Sequence, residues 1–210
     1  MIEIILLVSS ILFIFALKLF GRPSTAHRAN IFAMLAMALA VFSAFNFDFS
    51  KYDSAFYITI VASGLLGVLI SKRVQMTQMP ELVGLFNGFG GGASGAIAYV
   101  ELSGNSLPIS DVFVAIFSMV IGIFTFSGSL VAVMKLRGKL NNFNKKLADI
   151  FSVFLPTIIV IPVVLEMDDL LIEFIILVSL IGGVVRVAVI GGADMPVVIA
   201  FLNSLSGIAA

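Results

Sequence analysis

Stretches of apolar residues long enough to cross a bilayer recur along the whole chain of 210 residues. The bilayer core offers no water to the backbone, so a continuous stretch of this kind folds as a helix with internal hydrogen bonds. The composition agrees, because 60% of the residues are hydrophobic, 11% are charged and the mean hydropathy is +1.19. We therefore predict an all-α, polytopic transmembrane helix bundle of about eight spans. They are approximately Ile4 to Phe20, Ile31 to Phe47, Ala55 to Ile70, Pro80 to Leu102, Val112 to Met134, Ile150 to Leu165, Leu170 to Val187 and Met195 to the end.

Basic residues sort to one side of this bundle. Of the 12 Lys and Arg residues, all but Lys51 lie in or beside the connections after the first, third, fifth and seventh spans. Short connections that are rich in Lys and Arg stay in the cytoplasm, so these four connections are predicted to be cytoplasmic and the N-terminus to be outside. The first span lacks a basic leader and a cleavage site, and we interpret it as a retained helix. The basic residues on the cytoplasmic side are Lys18, Arg22, Arg28, Lys72, Arg73, Lys135, Arg137, Lys139, Lys145, Lys146 and Arg186.

The segment from Gln75 to Ala98 places glycines and one amide inside an apolar span. Pro80 and Glu81 suit a first helical turn, where proline's missing N–H is not needed and a carboxylate meets the positive end of the helix dipole. Asn87 then lies roughly 10 Å into the span, where its amide needs a polar partner or water. Four glycines at helical spacing form a stripe beside it, along which another helix can approach closely. This glycine stripe is Gly84, Gly88, Gly91 and Gly95.

The start of that segment occurs twice. Met79-Pro80 and Met195-Pro196 are each followed by Asn, Gly and Ala at offsets 8, 12 and 14 from the methionine. In the predicted topology both helices begin at the cytoplasmic face, so the repeat is parallel rather than inverted. It indicates two equivalent helices that bring Asn87 and Asn203 to one polar pathway. Two well-capped helices with small packing faces would also explain the spacing.

Polar residues at helical spacing mark the fifth span as well. Ser118, Thr125 and Ser129 share one face, which fits either a polar path or hydroxyls that bond to backbone carbonyls and hold helices together. Arg186 ends the seventh span, and Asp194 is placed to cap the last helix. Asp194 fits either a cap alone or a coupling role.

The composition also excludes several chemistries. With no cysteine and only His27, the spans cannot hold a Cys/His metal cluster, a thiol nucleophile or a Ser-His-Asp triad. The run Gly88 to Ala93 matches the dinucleotide fingerprint, but it lies in mid-span rather than at a strand-to-helix turn, so we interpret it as packing. We therefore expect no redox site, bound cofactor or metal in this chain. The net charge of zero gives no argument for nucleic acid.

Five motifs occur together between Gln78 and Gly207. They are Gln78 to Val83, Asn87 to Ala93, Phe126 to Ser129 with Lys135 and Gly138, Ile190 to Val198, and Asn203-Ser204 with Ser206-Gly207. The set resembles the membrane domain of the β subunit of proton-translocating, Re/Si-specific NAD(P)+ transhydrogenases. The resemblance implies an enzyme of the cytoplasmic (inner) membrane in which hydride passes between NAD(H) and NADP(H) in soluble domains while a proton crosses the membrane.

That family implies partners and a larger protein. Its β subunit has nine membrane helices followed by an NADP(H)-binding domain, and its α subunits carry NAD(H)-binding and membrane parts. We expect these as partners, with the lipid bilayer and a homodimer of the whole complex, and no nucleic acid. Too few residues follow Pro196 to cross a core of about 30 Å. Residues 1–210 are therefore expected to be a single transmembrane proton-translocation domain that is incomplete at its C-terminus.

The resemblance also assigns roles to residues. It places Asn87, Ser129 and Asn203 along the proton path, and we add Ser118 and Thr125 from the same face as Ser129. Some members of the family have His at the position of Asn87, and an amide cannot carry a net proton as imidazole can. The protonatable group is therefore expected elsewhere, for example on a His of a partner α-subunit helix.

Asp194 and Arg186 are placed by the resemblance near the face that touches the nucleotide-binding domain, and Glu81 is a third candidate for coupling at that cytoplasmic face. Two other classes of function fit the same helices. One is a secondary transporter or channel with a parallel repeat, in which Asn87 and Asn203 bind a solute. The other is a structural membrane scaffold, which explains the glycine stripe but not the repeated Asn.

Overall fold

A computed structural model of the protein describes residues 2–44, 52–104, 107–140 and 169–210. Within these ranges the chain is α-helical with three short 3₁₀ turns and no β-strand, which confirms the predicted all-α class for the described residues. The helices are α1 (Ile2–Phe20), α2 (Ala26–Ala44), α3 (Ser54–Arg73), α4 (Met79–Gly104), α5 (Ile109–Leu136), α6 (Asp169–Ala188) and α7 (Met195–Ala209).

Six segments of the described residues are long and apolar enough to cross a membrane, as expected for a multi-pass protein. They correspond to the first, second, third, fifth, seventh and eighth predicted spans. The fourth, 80–102, lies within α4, a continuous helix of 26 residues that is not among these six segments. The sixth, 150–165, lies outside the described residues. A count of eight spans and an outside N-terminus therefore stay predictions.

The chain divides into two compact units, Met1–Lys72 and Arg73–Ala210. In the first unit, α1 and α2 form an antiparallel pair joined by a 3₁₀ turn at Pro23–Thr25. The Ser9 hydroxyl donates to the Ala36 carbonyl at 2.7 Å, and the rings of Phe15 and Phe32 meet edge to face. The apolar side chains of α3 are largely exposed, as expected for a surface that contacts lipid.

In the second unit, α5 packs against α4, α6 and α7. Leu202 of α7 lies beside Gly128 of α5, and Ala209 near the end of α7 accepts a hydrogen bond from Ser118 near the start of α5. Helix α7 therefore runs antiparallel to α5. Helix α4 does the same, because Glu81 in its first turn pairs with Arg137 just after α5. The two Met-Pro helices thus run in the same direction, as a parallel repeat requires.

Both Met-Pro helices begin in the same way, with a 3₁₀ turn directly before the methionine. The turns are Met76–Gln78 and Gly192–Asp194. Asp194 occupies the N-cap position of α7, but its side chain makes no capping hydrogen bond, so the predicted cap is wrong in this respect. The reason is the backbone conformation of Asp194, which is helical, with φ −88° and ψ −2°. An N-cap residue whose side chain bonds to the first turn normally has an extended backbone.

The glycine stripe forms the contact between α4 and α5. All four of its glycines are buried. A Cβ placed on Gly91 would lie 2.7 Å from the carbonyl oxygen of Gly122, and one placed on Gly122 would lie 2.6 Å from the carbonyl oxygen of Gly91. The two backbones are therefore in direct contact, which only glycine allows at this separation.

Candidate functional site

A cluster of polar side chains lies where α4, α5 and α7 meet. Asn87 of α4 is 8% exposed, and its Nδ2 donates to the hydroxyl of the fully buried Ser129 of α5 at 2.9 Å. The hydroxyl of Ser206 of α7 donates to Asn87 Oδ1 over a longer 3.5 Å. The amide of Asn87 thus has a partner at each end. We call Asn87, Ser129 and Ser206 the amide cluster.

The structure brings Asn87 to Ser129 but does not bring Asn203 to either. Asn203 is exposed, because the buried face of α7 follows Met195, Ile199 and Leu202. The next position on that face is Ser206, four residues after Leu202. Sequence reasoning missed Ser206, since it followed the offset from Met-Pro rather than the helical spacing of buried residues. The part of Asn203 in a polar path stays a prediction.

The polar face of α5 continues from the amide cluster toward the start of the helix. Thr125 is fully buried, and its Oγ1 has no hydrogen-bond partner among the described residues. A buried hydroxyl in this state costs about 1 to 3 kcal/mol unless water or another group pairs with it. Ser118, further along, donates to the Ala209 carbonyl at 2.6 Å and so links α5 to α7. This face therefore combines an interhelical link with a buried hydroxyl that has no partner among the described residues.

The other end of α5 is linked to both Met-Pro helices. Helix α5 ends before Gly138, which adopts a positive φ of 65°. Arg137 Nε pairs with Glu81 Oε2 at 2.6 Å, and this contact holds the first turn of α4. The buried Lys135 donates from Nζ to the backbone carbonyl of Ile190, in the loop that leads into α7. The sequence pattern indicates neither of these two partners.

The three predicted coupling residues are not gathered into one site. Glu81 pairs with Arg137, whereas Arg186 and Asp194 are exposed. Both nevertheless lie close in sequence to the loop that Lys135 holds. The described structure thus places them at one end of the second unit without a direct contact among the three side chains.

The glycine run Gly88 to Ala93 does not fit a nucleotide. It lies inside α4, where Gly88 and Gly91 pack against Ser129 and Thr125 of α5. A nucleotide phosphate needs free backbone N–H groups at a helix start, and mid-helix N–H groups are already used. Among the described residues there is also no group of three His, Cys, Asp or Glu side chains that could hold a metal ion.

Comparison with known proteins gives one consistent family. A family model described as the NAD(P) transhydrogenase beta subunit matches residues 2–210. Two curated relatives, both the NAD(P) transhydrogenase subunit beta of Rhodospirillum rubrum, are each 30% identical over 218 residues. The match covers 97% of this chain and 47% of each relative, so the chain spans about half the length of the curated relatives it matches.

Proposed function

The chain belongs to the NAD(P) transhydrogenase beta subunit family, and from this we propose that it forms the proton-conducting membrane part of a transhydrogenase. In the complete enzyme, proton movement through these helices would be coupled to hydride transfer between NAD(H) and NADP(H). The nucleotides would be bound by other domains and by a partner α subunit. The chain itself would supply the path and its link to those domains.

The observation that carries the proposal is the amide cluster. Asn87 and Ser129 are buried at the junction of three helices, and both ends of the amide are hydrogen-bonded. Amide and hydroxyl groups both donate and accept hydrogen bonds, so they can order water molecules in a continuous hydrogen-bonded row. They do not hold a net proton at neutral pH. Thr125 would extend the chain of polar groups along α5, since its hydroxyl is unpaired among the described residues. Asn203 would join the path from the exposed side of α7.

Coupling would use the contacts at the end of α5. Lys135 holds the loop before α7 and Arg137 holds the start of α4, so a displacement of that loop would shift the helix that carries Ser129. Asp194 and Arg186, which are exposed near the loop, would contact the nucleotide-binding domain. On this proposal the face formed by the two 3₁₀ turns is cytoplasmic.

The test is Asn87→Leu in the complete enzyme, reconstituted in liposomes. Leucine leaves the Ser129 hydroxyl without its buried partner, at about 1 to 3 kcal/mol. A barrier raised by that amount slows proton pumping and net transhydrogenation by about tenfold to a hundredfold. Cyclic hydride exchange, which needs no proton movement, should be largely kept.

Asn203→Leu is the comparison, because it changes the same residue type at the same offset in the other Met-Pro helix. Its exposed position leads us to expect a smaller loss of pumping than for Asn87→Leu. Pumping at the wild-type rate by Asn87→Leu would refute the proposal. So would a loss of cyclic exchange and assembled protein in step with pumping, because Asn87 would then only hold helices together.

A further inference from the structure

A cavity lies beyond the polar face of α5, at the end of the second unit opposite Glu81 and Arg137. Its volume is about 250 Å³, and residues from α4, α5 and the end of α7 line it. Three of the lining side chains are polar: Ser94 and Glu101 of α4, and Ser118 of α5. A space of this size holds several water molecules, and these side chains give such water polar partners.

Among the described residues that line this cavity, Glu101 has the only titratable side chain. The remaining lining residues are apolar: Ile97, Ala98, Val114, Ala115, Ala209 and Ala210. The nearest acidic residue on α5 is Asp111 in its first turn, which accepts a hydrogen bond from Ser110 and does not line the cavity. The acidic residues in the first turns of α6, Asp169 and Glu173, are exposed and do not line it either.

Ser118, which lines the cavity, lies on the same face of α5 as Ser129 of the amide cluster. Ser118, Thr125 and Ser129 follow one another along α5, over about 16 Å at 1.5 Å per residue. On α4, Glu101 lies about 21 Å beyond Asn87. Between them Thr125 packs against Gly91 through its Cβ and methyl group, since a Cβ on Gly91 would lie 3.0 Å from the Thr125 Cβ and 3.1 Å from its Cγ2, and the Thr125 hydroxyl is buried and unpaired among the described residues. The interface of α4 and α5 therefore has an amide at one end, hydroxyls along it and a carboxylate at the other end.

We propose that Glu101 is the proton-binding group where the proton path ends in this cavity, and we call the opening of the cavity the mouth of the path. The assignment rests on the proposed function. The carboxylate takes a proton from water outside the bundle and becomes neutral. It then gives the proton to water in the cavity, beside Ser118, and returns to the carboxylate form. The step supplies what the amide cluster lacks, because Asn87 and its serine partners cannot store a net proton at neutral pH. In the predicted topology this mouth opens on the outer side of the membrane.

A simpler interpretation is that Glu101 is a solvated residue at a helix end, since it is exposed. The two interpretations differ in what neutralisation does. A solvated residue tolerates Gln without loss of turnover. A proton-binding group does not, because Gln keeps the shape and hydrogen bonding of the side chain but cannot accept a proton.

The experiment compares Glu101→Gln and Asp111→Asn in the complete enzyme in liposomes, with proton pumping measured while the pH on the side of the mouth is varied. Glu101→Gln should slow pumping about tenfold or more and flatten the dependence on that pH. Asp111→Asn, which changes an exposed carboxylate at the same end of the bundle, should pump as the wild type does. Equal pumping and equal pH profiles in Glu101→Gln and the wild type would overturn the assignment.

Glu101→His decides the question even where the Gln variant does not accumulate. Imidazole titrates near pH 6.5 in water, so the pH profile on the side of the mouth should move toward about that value. An unchanged profile in Glu101→His would overturn the assignment. If these variants fail to change pumping while Asn87→Leu still lowers it, only the role of Glu101 is lost. If the wild-type complex itself translocates no protons, the proposed function fails.

Discussion

At the residue scale, the side chain of Asn87 links three helices although an amide does not titrate near neutral pH. Its amide donates to Ser129 and accepts from Ser206, so it fixes the orientation of two hydroxyls on two other helices. The shorter contact, at 2.9 Å, is with Ser129. We therefore expect the orientation of the Ser129 hydroxyl to depend on Asn87 more strongly than that of the Ser206 hydroxyl does.

Ser206→Ala tests the third member of the cluster. The change removes the donor to Asn87 Oδ1, and one neutral hydrogen bond contributes about 0.5 to 1.5 kcal/mol. Proton pumping should fall roughly two- to tenfold, less than for Asn87→Leu. The matched control is Ser204→Ala in the same helix, because Ser204 is exposed and, within the described part of the chain, bonds only to the Ala200 carbonyl of its own helix. Equal pumping rates in the two variants would mean that the Ser206 hydroxyl has no role in proton pumping.

The residues of the cluster differ in how far sequence could predict them. Asn87 stands beside four glycines at helical spacing, and Ser129 continues a polar face, so local periodicity identifies both positions. Ser206 needed a different signal, the buried positions Met195, Ile199 and Leu202 that precede it at helical spacing. The partners of Lys135 and Arg137 are distant in sequence, and a charge pattern that already explains topology gives no indication of them.

At the scale of helices, the contact between α4 and α5 depends on the absence of side chains at one stripe. Gly91 and Gly122 bring backbone against backbone, and this closeness lets the short side chains of Asn87 and Ser129 reach each other. The stripe belongs to α4, which is not among the six described segments long and apolar enough to cross a membrane, so that criterion alone does not identify α4 as a span. Its helical spacing and its Met-Pro start were the better signals.

Gly91→Leu and Gly90→Leu form a matched pair that tests this contact. At position 91 a Cβ would lie 2.7 Å from a backbone oxygen, so the helices must separate, and overpacking of this kind typically costs about 1 to 3 kcal/mol or more. At position 90 the described residues leave open space within 4 Å, and leucine favours the helix by up to about 1 kcal/mol over glycine. Thermal unfolding of the complex in detergent should show a lower midpoint for Gly91→Leu and an unchanged or higher one for Gly90→Leu. The reverse order would mean that the stripe does not face α5.

On the scale of the whole molecule, the directions of the helices in the second unit agree with the predicted topology. Helices α4 and α7 run antiparallel to α5, and α6 runs parallel to it, because its first turns pack near Ala115 and its last turn near Val131. Alternating crossings by spans four, five, seven and eight require this arrangement. Sequence could predict it because apolar length and the distribution of cations are global properties. It could not predict which helix would be central, since that depends on contacts between distant segments.

The orientation in the membrane can be tested directly, because residues 1–210 contain no cysteine and a thiol introduced there is unique within them. Lys139→Cys, in the exposed turn after α5, should react with a membrane-impermeant maleimide only from the cytoplasmic side. Thr77→Cys, in the 3₁₀ turn before α4, should behave in the same way, because the antiparallel contact of α4 and α5 places both at one end of the unit. Ser110→Cys, in the exposed first turn of α5, should react only from outside. Right-side-out and inverted vesicles provide the two directions of labelling, and full labelling after detergent treatment is the control for each variant.

If Lys139→Cys and Ser110→Cys react from the same side, α5 does not cross the membrane. If they react from opposite sides but with the cytoplasmic and outer labels exchanged, the bundle is inverted, and the cavity beside Glu101 then opens to the cytoplasm.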